Sequence, residues 1–465
     1  MALSLPAGFE FGVATSAFQI EGAWDEDGKG PSIWDTFGHA PGNVHRDIPG
    51  DVACDHYHRY PEDIQLMRSL GLDTYRMSLS WARILPEGTG RVNQRGIDFY
   101  RRLVDDLLTA GITPNVTLYH WDLPQTLQDR GGWANRDVAD WFADYAGVAF
   151  DALGDRVDRW ATLNEPIAIW VGYALGFFAP GLRDPKAGRQ AMHNAMLAHG
   201  RAVNRFREAG SPGDIGIVLD IWKRTPATDD PADRRLADEG DDDGFRFFLD
   251  ALRGGGYSDR ILARLERDGT LPDIRPEDQA IIEAPIDYLG LNVYSRIVVS
   301  AERHDPAVWA ESHPHPGGNF LDDGSEFYPR AVFDAIEMVR DDYGWTGPIF
   351  ITENGVSDAP GSDPLDDEER IRYVSGFLEW IDRAVAAGAD VRGYYLWSLT
   401  DNFEWAAGFS KKYGIVHLDP QTQARTPKRS AKWYADVIRA HREAHGLPQR
   451  PGGQLAVGGA PNSYS

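Results

Sequence analysis

Residues 348–355 read PIFITENG, and residues 159–166 read RWATLNEP. In each stretch a short apolar run, Pro348–Thr352 or Arg159–Leu163, ends in polar residues that include a glutamate. Runs of this length, rich in β-branched and aromatic residues, predict strands. A carboxylate directly after a buried strand is costly unless it is paired. A single glutamate of this kind indicates a structural ion pair or a helix cap, whereas two at equivalent strand ends point to a shared site.

Six further runs have the same character, and helical patterns separate them. The additional predicted strands are Glu10–Ala14, Thr74–Ser80, Thr113–Tyr119, Ile215–Leu219, Tyr288–Val293 and Gly393–Ser398. Predicted helices include Tyr60–Ser69, Gly96–Ala110, Val138–Leu153 and Arg370–Ala387. Eight strands alternating with helices predict an α/β fold, a single-domain (β/α)₈ TIM barrel over residues 1–447. The Gly-, Pro- and Ser-rich residues 448–465 are predicted to form a disordered tail.

Several stretches between the strands are long. His39–Tyr57, Leu175–His193 and Ser300–Tyr328 are rich in Gly, Pro, Asp and His and are predicted to be loops. Such βα-loops lie over the carboxyl ends of barrel strands, where active sites are built. Two acidic runs, Asp241–Asp243 and Asp366–Glu369, are interpreted as solvated faces or helix N-termini.

Charge and cysteine content exclude several classes of partner. The formal charge of 47 − 71 = −24 argues against nucleic acid and against an anionic membrane surface. The single cysteine, Cys54, rules out an intrachain disulfide and argues against a cysteine-based zinc site. We expect no metal and no other cofactor. The first residues lack the features of a secretory signal, and no run approaches about 18 apolar residues, so a cytoplasmic protein is expected, with its oligomeric state left open.

The polar residues at the strand ends describe one kind of pocket. They are His120 and Trp121 after the third strand, Asn164 and Glu165 after the fourth, Asn292 and Tyr294 after the sixth, Glu353 after the seventh and Trp397 after the eighth. Pyranose rings stack on aromatic side chains, and their hydroxyls need amide or charged partners. Cleavage of a glycosidic bond requires one carboxylic acid and one carboxylate. This combination predicts a sugar-cleaving site.

The motifs identify the family that the chain resembles, glycoside hydrolase family 1, the retaining β-glucosidases. They are FEFGVATSA (9–17), QIEG (19–22), SIWD (32–35), YRMSLSW (75–81), HWDLP (120–124), TLNEP (162–166), ITENG (351–355) and DNFEW (401–405). They occur in the family's order over roughly residues 6–445. The resemblance implies hydrolysis of terminal non-reducing β-D-glucosyl residues from β-glucosides and cello-oligosaccharides, with β-galactosidase and β-fucosidase side activity. It also implies a small-molecule substrate and a role in cellulose degradation.

The resemblance further implies a role for each matching residue. Glu165 matches the general acid/base, Glu353 the nucleophile, and Arg76 and Tyr294 the groups that support the nucleophile. The positions that match the substrate-binding residues are Gln19, His120, Trp121, Asn164, Asn292, Tyr294, Trp397, Glu404 and Trp405. Asn164 would hold the 2-hydroxyl group, and Trp121 is also compatible with core packing.

Two departures concern the leaving-group side. Ile167 and Ser325 stand where the family often has Trp, so the preference for the leaving group is open, and Trp170 or Phe177 could supply replacement surface. The nearest competing activity is that of a 6-phospho-β-glucosidase. Lys411 and Tyr413 fit this activity, but the charge of Glu404 would repel a phosphate.

The same residues argue against three more distant functions. A non-catalytic sugar-binding barrel would be expected to have lost one of the two glutamates, and both are present. A myrosinase-like enzyme would carry Gln in place of Glu165. A metal-dependent hydrolase is disfavoured because no His-x-His follows the first strand and the histidines near strand ends are single.

Overall fold

Eight parallel strands close into a barrel at the centre of the structure, a computed structural model that describes residues 3–304 and 315–450. The strands are β1 (Glu10–Ala14), β2 (Thr74–Ser78), β3 (Thr113–Tyr119), β4 (Arg159–Asn164), β5 (Asp214–Asp220), β6 (Tyr288–Asn292), β7 (Ile349–Asn354) and β8 (Val391–Trp397). Their order is β1-β8-β7-β6-β5-β4-β3-β2. The predicted (β/α)₈ barrel is confirmed, and each predicted strand end lies within two residues of the observed one.

Closure depends on the pairing of β1 with both β8 and β2. Glu10 pairs with Gly393 of β8, and Gly12 pairs with Thr74 of β2. A Cβ atom at position 12 would lie 2.7 Å from Thr74 Cγ2, so glycine is required where these strands approach. Large side chains such as Tyr288 and Tyr395 fill the interior of the barrel, which is therefore a packed core rather than a pore.

Helices surround the barrel and bury their apolar faces on it. The longer ones are His56–Leu70, Gln94–Thr109, Val138–Leu153, Pro185–Glu208, Pro231–Asp241, Asp259–Arg267, Arg330–Asp341, Glu368–Ala386 and Arg429–Ala444. Shorter helices are Ala17–Ile20, Ile33–His39, Trp81–Ile84, Gln125–Gln128, Ile167–Trp170, Phe247–Leu252 and Asp278–Ile282, with single turns at His45–Asp47, Gly132–Ala134, Val171–Leu175, Asp242–Arg246 and Trp405–Ala407. Within residues 3–304 and 315–450, none of these helices combines the length and apolar composition needed to cross a bilayer.

The loop prediction for Leu175–His193 is wrong in its second half, because a helix begins at Pro185. The Asp184 side chain caps this helix by accepting the N–H groups of Lys186 and Ala187, both at 3.1 Å. Aspartate followed by proline is a strong helix start, which the Gly- and Arg-rich composition obscures. The predicted loop His39–Tyr57 gives way to a helix at His56. Part of Ser300–Tyr328, and residues 451–465 of the predicted tail, lie outside the described residues.

The interpretation of the acidic run Asp241–Asp243 as a solvated face is also wrong. Asp241 and Asp242 are buried, with exposed fractions of 2% and 1%. Arginines compensate the charge of the run: Arg260 donates to Asp242 at 2.6 Å, and Arg264 donates to Asp243 at 2.7 Å. These two arginines come from a neighbouring helix, a contact that sequence proximity does not reveal. The second acidic run fits its interpretation, since it forms the N-terminus of the helix Glu368–Ala386.

A buried ion-pair network anchors the loop that follows β8. Lys428 Nζ lies 2.7 Å from Asp358 Oδ2 and 2.8 Å from Asp401 Oδ1, and its side chain is fully buried. Arg370 also pairs with Asp358. A two-stranded sheet, Val416–Leu418 with Arg425–Pro427, closes the same loop. A second small sheet, Arg224–Pro226 with Ile297–Val299, connects the segments that follow β5 and β6.

We predict that Lys428→Met lowers the free energy of unfolding by about 3–5 kcal/mol, because it removes the buried cation that Asp358 and Asp401 share. Denaturant titration measures the change. The control is Arg439→Met, which removes an exposed pair with Asp436 and should change stability by no more than about 0.5 kcal/mol. Equal effects of the two substitutions would contradict the structural role of Lys428.

Candidate active site

A cavity of about 190 Å³ opens at the carboxyl ends of the barrel strands. Eight of the predicted site residues line it: His120, Trp121, Glu165, Tyr294, Glu353, Trp397, Glu404 and Trp405. Four more, Arg76, Gln19, Asn164 and Asn292, lie behind the lining and are bonded to residues in it. The structure thus brings the whole predicted set together, although its members are spread over the chain from Gln19 to Trp405.

Glu353 is held by two donors. Arg76 Nη1 donates to Glu353 Oε1 at 2.6 Å, and the Tyr294 hydroxyl donates to Oε2 at 2.8 Å. Both Arg76 and Glu353 are buried, with exposed fractions of 1% and 4%. Hydrogen bonds between charged partners at such distances are among the strongest in proteins. The carboxylate is therefore fixed in position with both oxygens engaged.

Glu165 lies in a different environment, although it belongs to the same cavity. Asn292 Nδ2 donates to Glu165 Oε1 at 2.6 Å. The backbone of Glu165 has a φ of 44°, in the left-handed region that costs a non-glycine residue energy. A hydrogen bond from the Glu165 N–H to the carbonyl of Val218 in β5, at 2.9 Å, helps to hold this conformation.

The surroundings of the two glutamates favour different protonation states. Burial raises the pKa of Glu165 well above its usual range, and the nearby charges of Asp220 and Glu353 add to this. Burial also raises the pKa of Glu353, but Arg76 and Tyr294 oppose the rise. Two carboxyl groups with contrasting partners can supply one acid and one carboxylate to the same reaction.

Asn164 connects the two glutamates to the rest of the site. Its Oδ1 accepts from Arg76 Nη2 at 2.6 Å and from Asn292 Nδ2 at 3.1 Å. Its Nδ2 lies 3.1 Å from His120 Nε2. Burial, with a contribution from Arg76, holds the pKa of His120 well below its usual range, so this histidine is a neutral hydrogen-bonding group.

Glu404 forms the far side of the cavity. Gln19 Nε2 donates to Glu404 Oε2 at 3.2 Å, and Trp397 donates to the same carboxyl group. Burial raises the pKa of Glu404 to about 8, the charge of Glu353 adds to this, and Lys411 acts in the opposite direction. A raised pKa reduces the negative charge that this carboxyl group carries near neutral pH, which weakens the repulsion of phosphate expected from the sequence.

Aromatic rings form the walls of the cavity. Trp405 lies 4.5 Å from Trp121 and 4.6 Å from Trp34, measured between ring centroids. Trp121 and Trp405 both have left-handed backbone conformations, with φ values of 81° and 53°. The Trp121 indole N–H donates to the Asn164 carbonyl at 2.9 Å. Trp121 therefore both packs against neighbouring rings, including Phe178, and faces the cavity.

The suggested replacements on the leaving-group side do not line the cavity. Phe177 is 45% exposed, and Trp170 lies under the guanidinium of Arg189. Another tryptophan, Trp222, does line the cavity, and its ring stacks on that of Tyr294 with 5.8 Å between ring centroids and an interplanar angle of 7°.

Sequence reasoning missed several residues that line the cavity, among them Trp222, Ser295, Asp323, Val356 and Tyr373. A signal for Trp222 is present, because it stands three residues after the predicted strand Ile215–Leu219, and Asp220 follows that strand directly. A polar and an aromatic residue after a predicted strand is the same pattern that identifies the other strand ends.

Histidines and carboxyl groups are frequent metal ligands, and the cavity contains both. In the part of the chain that the structure describes, no three or more His, Cys, Asp or Glu side chains are grouped so as to hold a metal ion.

Comparisons with known proteins agree on one family. The family described as "Glycosyl hydrolase family 1" matches residues 1–443. The chain is 43% identical to β-glucosidase A of Acetivibrio thermocellus over 447 residues, covering 94% of this chain and 98% of the relative. It is 44% identical to a 1,4-β-D-glucan glucohydrolase of Thermotoga neapolitana, covering 93% and 98%.

Solved structures give the same result. A family 1 β-glucosidase from Thermotoga maritima superposes with a TM-score of 0.89 at 43% identity, covering 95% of this chain and 99% of that one. The β-glucosidase from Thermotoga maritima in complex with glucoimidazole superposes with a TM-score of 0.88 at 43% identity, covering 94% and 99%.

We predict that Glu165→Gln stabilises the protein increasingly as pH rises. The pKa of Glu165 is higher in the folded than in the unfolded chain, so its contribution to stability is present below the unfolded-state pKa and is lost as pH rises toward the folded-state pKa. Glutamine does not titrate. The free energy of unfolding of the variant, measured by denaturant titration, should be closest to that of the parent at about pH 4 and should exceed it by a widening margin as pH rises to 8.

Glu353→Gln is the matched control, because it leaves the buried guanidinium of Arg76 without its carboxylate. It should lower the free energy of unfolding across the same pH range. A variant Glu165→Gln that is less stable than the parent at pH 8 would contradict the electrostatic account of Glu165.

Proposed function

This chain belongs to glycosyl hydrolase family 1, and we propose that it acts there as a retaining β-glucosidase. It removes terminal non-reducing β-D-glucosyl residues from β-glucosides and cello-oligosaccharides, with side activity on β-galactosides and β-fucosides. The relatives named β-glucosidase and 1,4-β-D-glucan glucohydrolase support this substrate class. A place in cellulose degradation follows from it.

In the first step, a carboxylate oxygen of Glu353 attacks the anomeric carbon. The bond from that carbon to the leaving oxygen breaks, and Glu165 gives its proton to the leaving oxygen. The product is a glucosyl ester of Glu353 and a free alcohol or shortened saccharide. Arg76 and Tyr294 orient the attacking carboxylate through their hydrogen bonds to its two oxygens.

In the second step, water attacks the anomeric carbon from the face that the leaving group vacated. Glu165, now a carboxylate, accepts the proton of this water, and the ester bond to Glu353 breaks. Two inversions return the β configuration. Esterification has removed the charge of Glu353, so the pKa of Glu165 falls and suits its second role as a base.

One observation carries the assignment of roles, namely the unequal set of donors around the two carboxyl groups. Glu353 accepts from a buried guanidinium at 2.6 Å and from a phenol at 2.8 Å. Glu165 accepts from a neutral amide, Asn292, and faces like charges. The group with cationic support suits the nucleophile, and the group that retains its proton suits the acid.

The remaining polar groups suit the hydroxyls of a glucosyl ring. Glu404 and Gln19 would bind hydroxyls at the far side of the ring, His120 an equatorial one, and Asn164 the 2-hydroxyl. Contact with the 2-hydroxyl strengthens at the transition state. The indole rings of Trp397 and Trp405 would pack against the apolar face of the sugar.

A 6-phospho-β-glucosidase remains the second candidate for one reason. Tyr413 lines the cavity, and Lys411 acts on the charge of Glu404, so a phosphate could find a cation and a hydroxyl near this carboxyl group. Against this, a phosphate near Glu404 would disrupt the position in which Gln19 holds this carboxyl group by a hydrogen bond.

We predict opposite azide rescue products for the two glutamates. Glu353→Ala should reduce hydrolysis of an aryl β-glucoside to background, and azide should restore a product of inverted, α configuration. Glu165→Ala should slow poor leaving groups by roughly 10²–10⁴-fold, and azide should yield the β-glucosyl azide with activated substrates. Product configuration is read by NMR.

The parent protein provides the control, since it should release β-glucose first and ignore azide. Identical rescue products from the two variants would overturn the role assignment. Binding of glucoside by the parent without release of the aryl group would instead favour a non-catalytic sugar-binding barrel.

We predict that Glu404→Ser lowers kcat/KM on β-glucosides by about 10²-fold, because the sugar loses two hydrogen bonds to this carboxyl group, each worth roughly 1–1.5 kcal/mol. The ratio of activity on a 6-phospho-β-glucoside to activity on the plain glucoside should rise. Glu404→Asp keeps the carboxyl group and is the matched control, with the ratio unchanged. An unchanged ratio in Glu404→Ser would mean that Glu404 does not face the sugar.

A further inference from the structure

We propose that Asp220 is a positioning residue of this site, a third carboxyl group whose negative charge keeps Glu165 in its acid form. The inference rests on the proposed function, since it assigns a partner to the acid/base. Asp220 acts through Glu165 and need not touch the sugar. It would set the pH range over which the enzyme works.

Strand register places the Asp220 side chain on the side of the sheet that carries the site. Asp220 is the last residue of β5 and pairs with Asn292 of β6. Paired residues of neighbouring parallel strands direct their side chains to the same face. The Asn292 side chain reaches Glu165 Oε1 at 2.6 Å. Asp220 therefore projects toward the same end of the barrel as the amide that holds Glu165.

A second contact fixes the position of Glu165 relative to β5. Val218 stands two residues before Asp220, and its carbonyl accepts the Glu165 N–H at 2.9 Å. Residues two apart on a strand share a face. The backbone that places Glu165 at the cavity is thus bonded directly to the strand that carries Asp220.

Charged groups from several elements act on these two carboxyls. Glu165 meets Asp220 and Glu353 as like charges and Arg76 as the opposing charge, with Tyr294 also nearby. Asp220 is acted on by Arg224, from the segment after β5, and by Glu353, from β7.

The cationic support is unevenly shared among the three carboxyl groups. Arg76 bonds directly to Glu353, whereas Glu165 accepts from the neutral amide of Asn292. Burial raises the pKa of Asp220 to about 7, so this carboxyl group gains its charge within the neutral pH range. The three groups titrate as a coupled set.

The third carboxyl group matters most after the first chemical step. Formation of the glucosyl ester removes the charge of Glu353 but leaves that of Asp220. Glu165 then retains one neighbouring negative charge, which keeps it a stronger base for activating water. Asp220 therefore supports both the acid and the base role, whereas the influence of Glu353 lasts for only one of them.

The test is the pH dependence of kcat/KM for Asp220→Asn on an aryl β-glucoside. The basic limb should move to lower pH by about one unit. For a substrate with an activated leaving group, where ester hydrolysis limits turnover, kcat should fall a few-fold. Asp220→Ser removes the same charge with a smaller side chain, and Asp220→Glu restores it.

Asp214→Asn is the matched control. Asp214 is the first residue of β5, on the same face and about 20 Å from Asp220 along the strand. It should leave the basic limb in place while making the same change in net charge.

The outcomes separate this inference from the proposed function. A parent protein that releases no glucose would overturn the proposed function and the inference together. An active parent whose basic limb is unmoved in both Asp220→Asn and Asp220→Ser would overturn the inference alone. So would an equal shift in Asp214→Asn, or a shift in Asp220→Glu as large as in the neutral variants. If Asp220→Asn does not fold, Asp220→Ser and Asp220→Glu decide.

Discussion

The buried ion pair between Arg76 and Glu353 is the constraint on which the site depends. It joins β2 to β7 across the barrel mouth at 2.6 Å, and the second nitrogen of the guanidinium holds Asn164 of β4. Asn164 in turn bonds to Asn292 of β6, which bonds to Glu165. A single guanidinium therefore sets the positions of groups from four strands. Removal of Arg76 or Glu353 would leave an uncompensated buried charge. Loss of either residue would therefore disturb the whole hydrogen-bond network.

The same region is unfavourable to fold. Glu165, Trp121 and Trp405 all have left-handed backbone conformations, and several carboxyl groups are buried. Such strain persists only where the surroundings over-determine it. For the loop after β8, which carries Trp405, Lys428 and Arg370 supply such surroundings. Lys428 pairs with Asp401 before Glu404, and Arg370 donates to a backbone carbonyl, at position 412, after it. Ion pairs behind the cavity thus anchor the loop that carries Trp405.

Much of this architecture could be predicted from the sequence, and the exceptions have physical causes. The strand positions could be predicted because each strand is a local apolar run. Glu165 and Glu353 could be predicted because each follows the end of such a run. The burial of Asp242 was not, because its partner Arg260 approaches from a separate helix. The helix start at Pro185 was hidden by composition, although the preceding aspartate is a typical cap. Asp220 and its neighbour Trp222 were accessible in principle, since the same strand-end rule applies to β5.

The stacking of Trp222 on Tyr294 has a consequence for how such an enzyme can diversify. Trp222 borders the cavity on the side of β5, while Tyr294 holds Glu353 at 2.8 Å. The small sheet Arg224–Pro226 with Ile297–Val299 fastens the segments that carry these two rings. A substitution of one of these rings therefore changes the packing of the other. A substitution at Trp222 would reshape the cavity and disturb the phenol that donates to Glu353 at the same time, so these two features of the site cannot evolve independently.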